Sequence, residues 1–89
     1  MTLEDVLEEL DEGGEAQLLE PRTDFDSCIA GLGVRFHDGP LAVYDVDLVL
    51  RHFMDRGLSE EEAQEYFDVN VAGSWVGNGT PMFVRFIDG

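Results

Sequence analysis

A chain of 89 residues with 44% hydrophobic and 10% aromatic content suffices for one hydrophobic core, and at this length only roughly 60% of the unfolded surface is buried, so a homodimer or a bound partner is an expected source of added stability. The net charge is −15, from 20 Asp and Glu against five basic residues that are all Arg. With no Lys there is no P-loop, no Schiff-base site and no nuclease that sets a Lys beside its carboxylates, and so negative a field repels nucleic acid and anionic membranes, leaving basic proteins or cations as partners.

The N-terminus MTLEDVLEELDE has neither a basic region nor an apolar run, and no stretch approaches 18 apolar residues. The expectation is a cytoplasmic protein with no membrane span. Thr2 reads as an N-cap with an acidic residue, Asp5, three positions on, and Leu3, Val6, Leu7 and Leu10 recur at the helical period. A first helix is predicted from Leu3 to Glu12, stopping at Gly13-Gly14. Residues 15–26 carry Pro21 and little periodicity and read as a linker, within which AQLLE has the composition of a short edge strand. Residues 1–26 form an acidic N-terminal helix and linker ahead of an α+β core over 27–89, the whole making one domain.

From Ser27 to Phe36 the period changes to two: Cys28, Ala30, Leu32, Val34 and Phe36 share one face, which predicts a strand. His37 to Pro40 supply turn chemistry, and LAVY then completes a hairpin. Gly31 and Gly33 mark a bulge or a close backbone approach. Asp45 or Asp47 caps a second helix whose buried stripe is Val46, Val49, Leu50, Phe53 and Met54, ending at Gly57. Ser59 with Glu62 forms a capping box for a third helix, with Ala63, Tyr66, Phe67, Asn70 and Val71 as its inner stripe and Gly73 as its end. Met82 to Ile87 reads as a last strand. The predicted class is α+β, a single small domain in the order α-β-β-α-α-β, with helices packed on a three-stranded, mainly antiparallel sheet.

Three stretches, VYDVD at Val43 to Asp47, LSEEEAQEYFDVNVAG at Leu58 to Gly73 and WVGNGTP at Trp75 to Pro81, carry a resemblance. From about Asp24 to Ile87 the chain resembles a family of short, mostly uncharacterised proteins encoded by bacteriophages and mobile elements. The resemblance implies a mobile-element context and no particular reaction. The acidic N-terminal helix lies outside it.

The candidate binding residues are carboxylates in rows. On the first helix Glu4, Glu8 and Glu12 make one row and Asp5 and Glu9 a second; on the third, Glu61, Glu65 and Asp68 make another. Neighbours at i, i+4 stand about 6 Å apart and repel by roughly 0.2 to 0.5 kcal/mol per pair in an isolated helix. Charge is concentrated toward the N-terminus, residues 1–26 carrying −9 and residues 27–89 carrying −6. A second candidate is the loop after the third helix. Asn70, placed on the inward stripe, needs buried partners, expected in the glycine loop. Trp75 is an interface anchor or a lid on the core, and Asn78 stands among Gly73, Gly77 and Gly79, which suit positive φ. GNGTP precedes a strand and not a helix, which argues against a phosphate loop.

No catalytic residue, metal site or cofactor is assigned. Asp24 with Asp26 and Asp45 with Asp47 form Asp-x-Asp pairs, but two carboxylates are too few to specify a cation, and Asp is the ordinary choice for turns and caps. His37, His52 and Cys28 show neither zinc spacing nor a nucleophile-base pairing. Three readings of function remain: a non-enzymatic protein whose carboxylates mimic nucleic acid and inhibit a basic host protein, as in anti-defence; a salt-adapted acidic protein, as the absence of Lys suggests; and, last, a small metal-dependent protein using Asp45, Asp47 and His37.

Overall fold

A computed structural model of the chain describes residues 1–34, 39–72 and 79–87. The first helix begins where the sequence places its cap. Thr2 Oγ1 accepts from the Asp5 N–H at 3.2 Å and the Asp5 carboxylate accepts from the Thr2 N–H at 2.9 Å, so two donors of the helix start are satisfied reciprocally. Helix α1 spans Leu3–Gly13, and Gly14, at φ +74°, closes it by donating its N–H to the Leu10 carbonyl. Val6 and Leu10 are buried, whereas Leu3 remains exposed.

Residues 15–26 are more than a linker. No strand forms at AQLLE. Instead the Gln17 N–H donates to the Gly79 carbonyl at 2.9 Å, and the Leu19 N–H donates to the buried Tyr44 hydroxyl at 2.8 Å. A one-turn helix, α2, Arg22–Phe25, and a 3-10 turn, Asp26–Cys28, follow, and Leu19, Phe25 and Cys28 are buried. One or two turns are too short to show the periodicity by which helices are read.

The 3-10 turn delays the first strand, so β1 covers Ile29–Gly33 and not the longer run expected from Ser27. It pairs antiparallel with β2, Leu41–Asp45, with an irregularity between Ile29 and Gly31 that leaves Ala30 unpaired, the bulge that the glycines foreshadow. Asp45 ends β2 and caps α3, Val46–Asp55, its Oδ1 accepting from the Asp47 and Leu48 N–H groups at 2.9 and 3.4 Å. Val46, Val49, Leu50 and Phe53 are buried as expected, but Met54 is 38% exposed. Helix α4, Glu60–Tyr66, opens on the Ser59–Glu62 capping box. The Ser59 backbone N–H holds the Glu62 carboxyl below its usual range.

Helix α4 continues as a π-helical turn, Phe67–Val71, in which the Ala72 N–H donates to the Phe67 carbonyl, five residues back. The wider turn stacks Val71 over Phe67, and Ala63, Phe67 and Val71 are all buried. Asn70 is carried outward and is exposed. The expectation of a buried amide is therefore corrected: it extended the 3.6-residue period into a segment that does not have it.

The last strand, β3, spans Met82–Val84, shorter than expected, and pairs parallel with β2 through Val43↔Met82, Tyr44↔Phe83 and Asp45↔Val84. The sheet order is β1-β2-β3. It is thus a mixed sheet, because the two helices between β2 and β3 make a crossover, the connection a parallel pair needs. The order α-β-β-α-α-β holds, with short α2 added. Ala42 and Tyr44 join Val6 and Leu10 of α1, Val49 and Phe53 of α3, and Ala63 and Phe67 of α4 in one core cluster, with Leu32 and Phe83 packed against it. The acidic N-terminal segment and the remainder share that core. Among the described residues no helix is long and apolar enough to cross a membrane.

Candidate functional site

Every carboxylate of the predicted rows lies on the surface. Glu4, Asp5, Glu8, Glu9 and Glu12 on α1 are exposed, as are Glu61, Glu65 and Asp68 on α4 and its extension. Helix α1 has no basic residue in its last turn, and none of its acidic residues forms an ion pair among the described residues. Among the described residues Asp5 is engaged in the cap. The α4 row is partly tied: Asp68 accepts from Gln64 Nε2 at 2.9 Å, and Gln64 Oε1 accepts from Arg85, which also lies 3.9 Å from Asp47. The rows occupy helices with different supports, α1 resting on β1 and β2 and α4 on α3.

The Asp-x-Asp pairs have structural partners. Asp26 accepts a forked hydrogen bond from Arg22, Asp24 accepts from Arg56 at 2.8 Å, and Asp45 caps α3. Among the described residues no group of three or more His, Cys, Asp or Glu is arranged to hold a metal ion. Cys28 is buried, and burial pushes its thiol up from the usual range, away from the thiolate that nucleophilic chemistry needs. His52 Nε2 lies 3.7 Å from the Asp24 carboxylate, and its ring meets Phe25 edge-on at 4.9 Å. His37, Trp75 and Asn78 lie outside the described residues.

The exposed position of Asn70 brings it to a feature the sequence did not announce. A groove of about 520 Å³ opens between α2, α3 and α4, with Phe25, Phe53, Leu58 and Val71 among its walls and Glu20, Asp24, His52 and Arg56 at its margin. Its aromatic wall is a chain of edge-to-face contacts: Phe25 to Phe53 at 6.0 Å and Phe53 to Tyr66 at 4.9 Å. Such pairs add about 0.5 to 1.5 kcal/mol each beyond their buried area. Tyr66, expected in the core, is 47% exposed and forms one side of the groove. A second depression of about 320 Å³ shares Leu58, Tyr66 and Asn70 with the first and continues past Val69 between Glu62 and Glu65. Stripe width gave no warning of the groove: Ala63, Tyr66, Phe67, Asn70 and Val71 fall at i, i+3, i+4, i+7 and i+8, the ordinary spacing of a core-facing face, and the amide of Asn70 within that stripe was the one hint that its Tyr66–Asn70 edge leaves the core. Comparison with protein-family models, curated proteins and solved structures finds no match.

Proposed function

We propose that this chain is a small, non-enzymatic accessory protein of a bacteriophage or mobile element, acting in the host cytoplasm by binding a basic nucleic-acid-binding protein. Its carboxylate rows stand in for phosphates, and inhibition of a host defence protein is the use that fits. One observation carries the reading: α1 presents Glu4, Asp5, Glu8, Glu9, Asp11 and Glu12 exposed, without a cation paired to any of them among the described residues. An acidic helix that is merely solvated usually interleaves Lys or Arg at i+4, which relieves the repulsion. Carboxylates at about 6 Å in two interleaved rows approach the charge density of a nucleic-acid strand, whose phosphates follow at about 3.4 Å of rise.

The test replaces Glu4, Glu8 and Glu12 with Gln and measures retention of a partner from host lysate. Loss of retention with an intact fold supports mimicry; unchanged retention, or elution of the partner by neutral polymer as readily as by duplex DNA, refutes it. A second reading, salt adaptation, is favoured by the absence of Lys from all 89 residues. It requires melting temperature to climb steeply between about 0.05 and 2 M NaCl as self-repulsion is screened, and a flat midpoint removes it.

A further inference from the structure

We propose that the groove between α2, α3 and α4 is the docking site for a basic amphipathic helix of the partner protein. The inference rests on the reading that the partner is basic, and it adds where an apolar anchor of that partner would sit. The floor is apolar and exposed where it can be reached: Tyr66 is 47% and Val69 66% exposed, and Leu58 is half-buried between them. Phe25 and Phe53 hold the deeper end. Because the two depressions share Leu58, Tyr66 and Asn70, the apolar surface is elongated, which suits the row of anchors at i, i+3, i+4 and i+7 on one helix face more than a compact metabolite.

The margins identify the charge of the occupant. Glu20 and Asp24 line the first depression, and Glu62 and Glu65 line the second together with Val69. Arg56 is the cation at this margin, and Asp24 holds it at 2.8 Å. Neither Glu20 nor Glu65 forms an ion pair among the described residues, although Glu20 feels the Arg22 guanidinium at longer range, so both can receive Lys or Arg flanking an apolar anchor. Asn70, exposed at the shared rim, offers an amide for a polar side chain or a frayed backbone group. An apolar floor between acidic edges is the complement of a helix with one apolar face and basic shoulders.

The test uses a synthetic helical peptide of Leu and Lys with Leu at the apolar spacing, and a control of equal charge with Ser in place of Leu, by fluorescence anisotropy at about 0.15 M NaCl. The Leu peptide is expected to bind at least about tenfold more tightly than the Ser peptide. The variant Tyr66→Ser with Val69→Ser should lose about tenfold, and Glu20→Gln with Glu65→Gln about threefold with a shallower salt dependence. Should the double Ser variant unfold, Val69→Ser alone, at an exposed position, should still lose about threefold. Equal binding of the two peptides, or wild-type affinity in the Ser variants, overturns the proposal. A dimer of the free protein that Val69→Ser dissociates, with no peptide bound, gives the groove to a second copy and also overturns it. Replacing Glu4, Glu8 and Glu12 with Gln should weaken the Leu and Ser peptides alike and leave the roughly tenfold ratio between them in place. If that variant alone loses the ratio, the groove is wrong and the carboxylate rows stand; if it keeps both the ratio and the native partner while the Ser variant loses them, the groove stands and phosphate mimicry falls.

Discussion

Replacing Tyr44 with Phe isolates a single hydrogen bond that joins the N-terminal segment to the sheet. The Tyr44 side chain is fully buried, its ring stacks on Phe83 at 5.8 Å, and its hydroxyl accepts the Leu19 N–H at 2.8 Å. Phe preserves the ring and its packing but leaves the Leu19 N–H buried without that acceptor. An unsatisfied buried donor costs about 1 to 3 kcal/mol. A domain of this length is stable by roughly 4 to 13 kcal/mol, so the loss is a large share of the total. At about 4 to 8 °C per kcal/mol the melting temperature should fall by at least about 4 °C. Urea melts followed by circular dichroism measure the change, and the slope should be unaltered because the fold is the same. Tyr66→Phe is the control: its hydroxyl makes no hydrogen bond among the described residues, and it should change stability by less than about 0.5 kcal/mol. If Tyr44→Phe also changes stability by less than about 0.5 kcal/mol, residues 15–26 are not anchored through this bond, and the reading of them as part of the core is refuted.

Gly79 has φ +81°, and a Cβ there would stand 1.8 Å from the Glu15 carbonyl oxygen, whereas Gly14 at φ +74° has nothing within 4 Å. Gly14→Ala should therefore cost only the left-handed penalty of about 1 to 2 kcal/mol, and Gly79→Ala distinctly more, as denaturant melts would show. Asn70→Ala, at an exposed position, should shift stability by no more than about 0.5 kcal/mol, and a loss above 1 kcal/mol would mean that the side chain is bonded in solution. Burial raises the Tyr44 hydroxyl and the Cys28 thiol above their ordinary values of 10.0 and 9.0. In both the folded state holds the proton more tightly than the unfolded one, so their contribution is complete below about pH 9 and is lost as pH climbs through the raised values. Melts between pH 8 and 11 should show this decline, and Cys28→Ala should delay its onset.

Local signals carried most of the fold. The pairs Thr2–Asp5 and Ser59–Glu62 and the Asp45 cap each depend on residues two or three apart, and each forms as its spacing suggests. What escaped is set at longer range. The Leu19–Tyr44 bond spans 25 residues, and nothing in a local pattern ties a backbone N–H to one particular hydroxyl. The parallel direction of β3 was available in principle, since two helices separate it from β2, but a short aromatic strand reads the same in either direction. Asn70 was misplaced because it falls in the π-turn, where the helical phase shifts, whereas Tyr66, in the regular helix before it, stands at the edge of the buried stripe, where tertiary packing alone decides exposure; the groove was missed with them, because residues assigned to a core were its exposed wall. The acidic rows were legible at once, because position alone decides that Glu4, Glu8 and Glu12 share a face.

The exposed carboxylates of α1, none of them in an ion pair among the described residues, are proposed to form a binding surface and not merely a solvated one. The most direct measurement is capture from host lysate at about 0.15 M NaCl, comparing wild type with the variant carrying Gln at 4, 8 and 12, followed by elution with duplex DNA. The wild type is expected to retain a basic nucleic-acid-binding protein that DNA displaces, and the Gln variant, equally folded, to retain at most about a tenth as much. Equal retention by both, or a retained protein that DNA does not displace, would contradict the proposal.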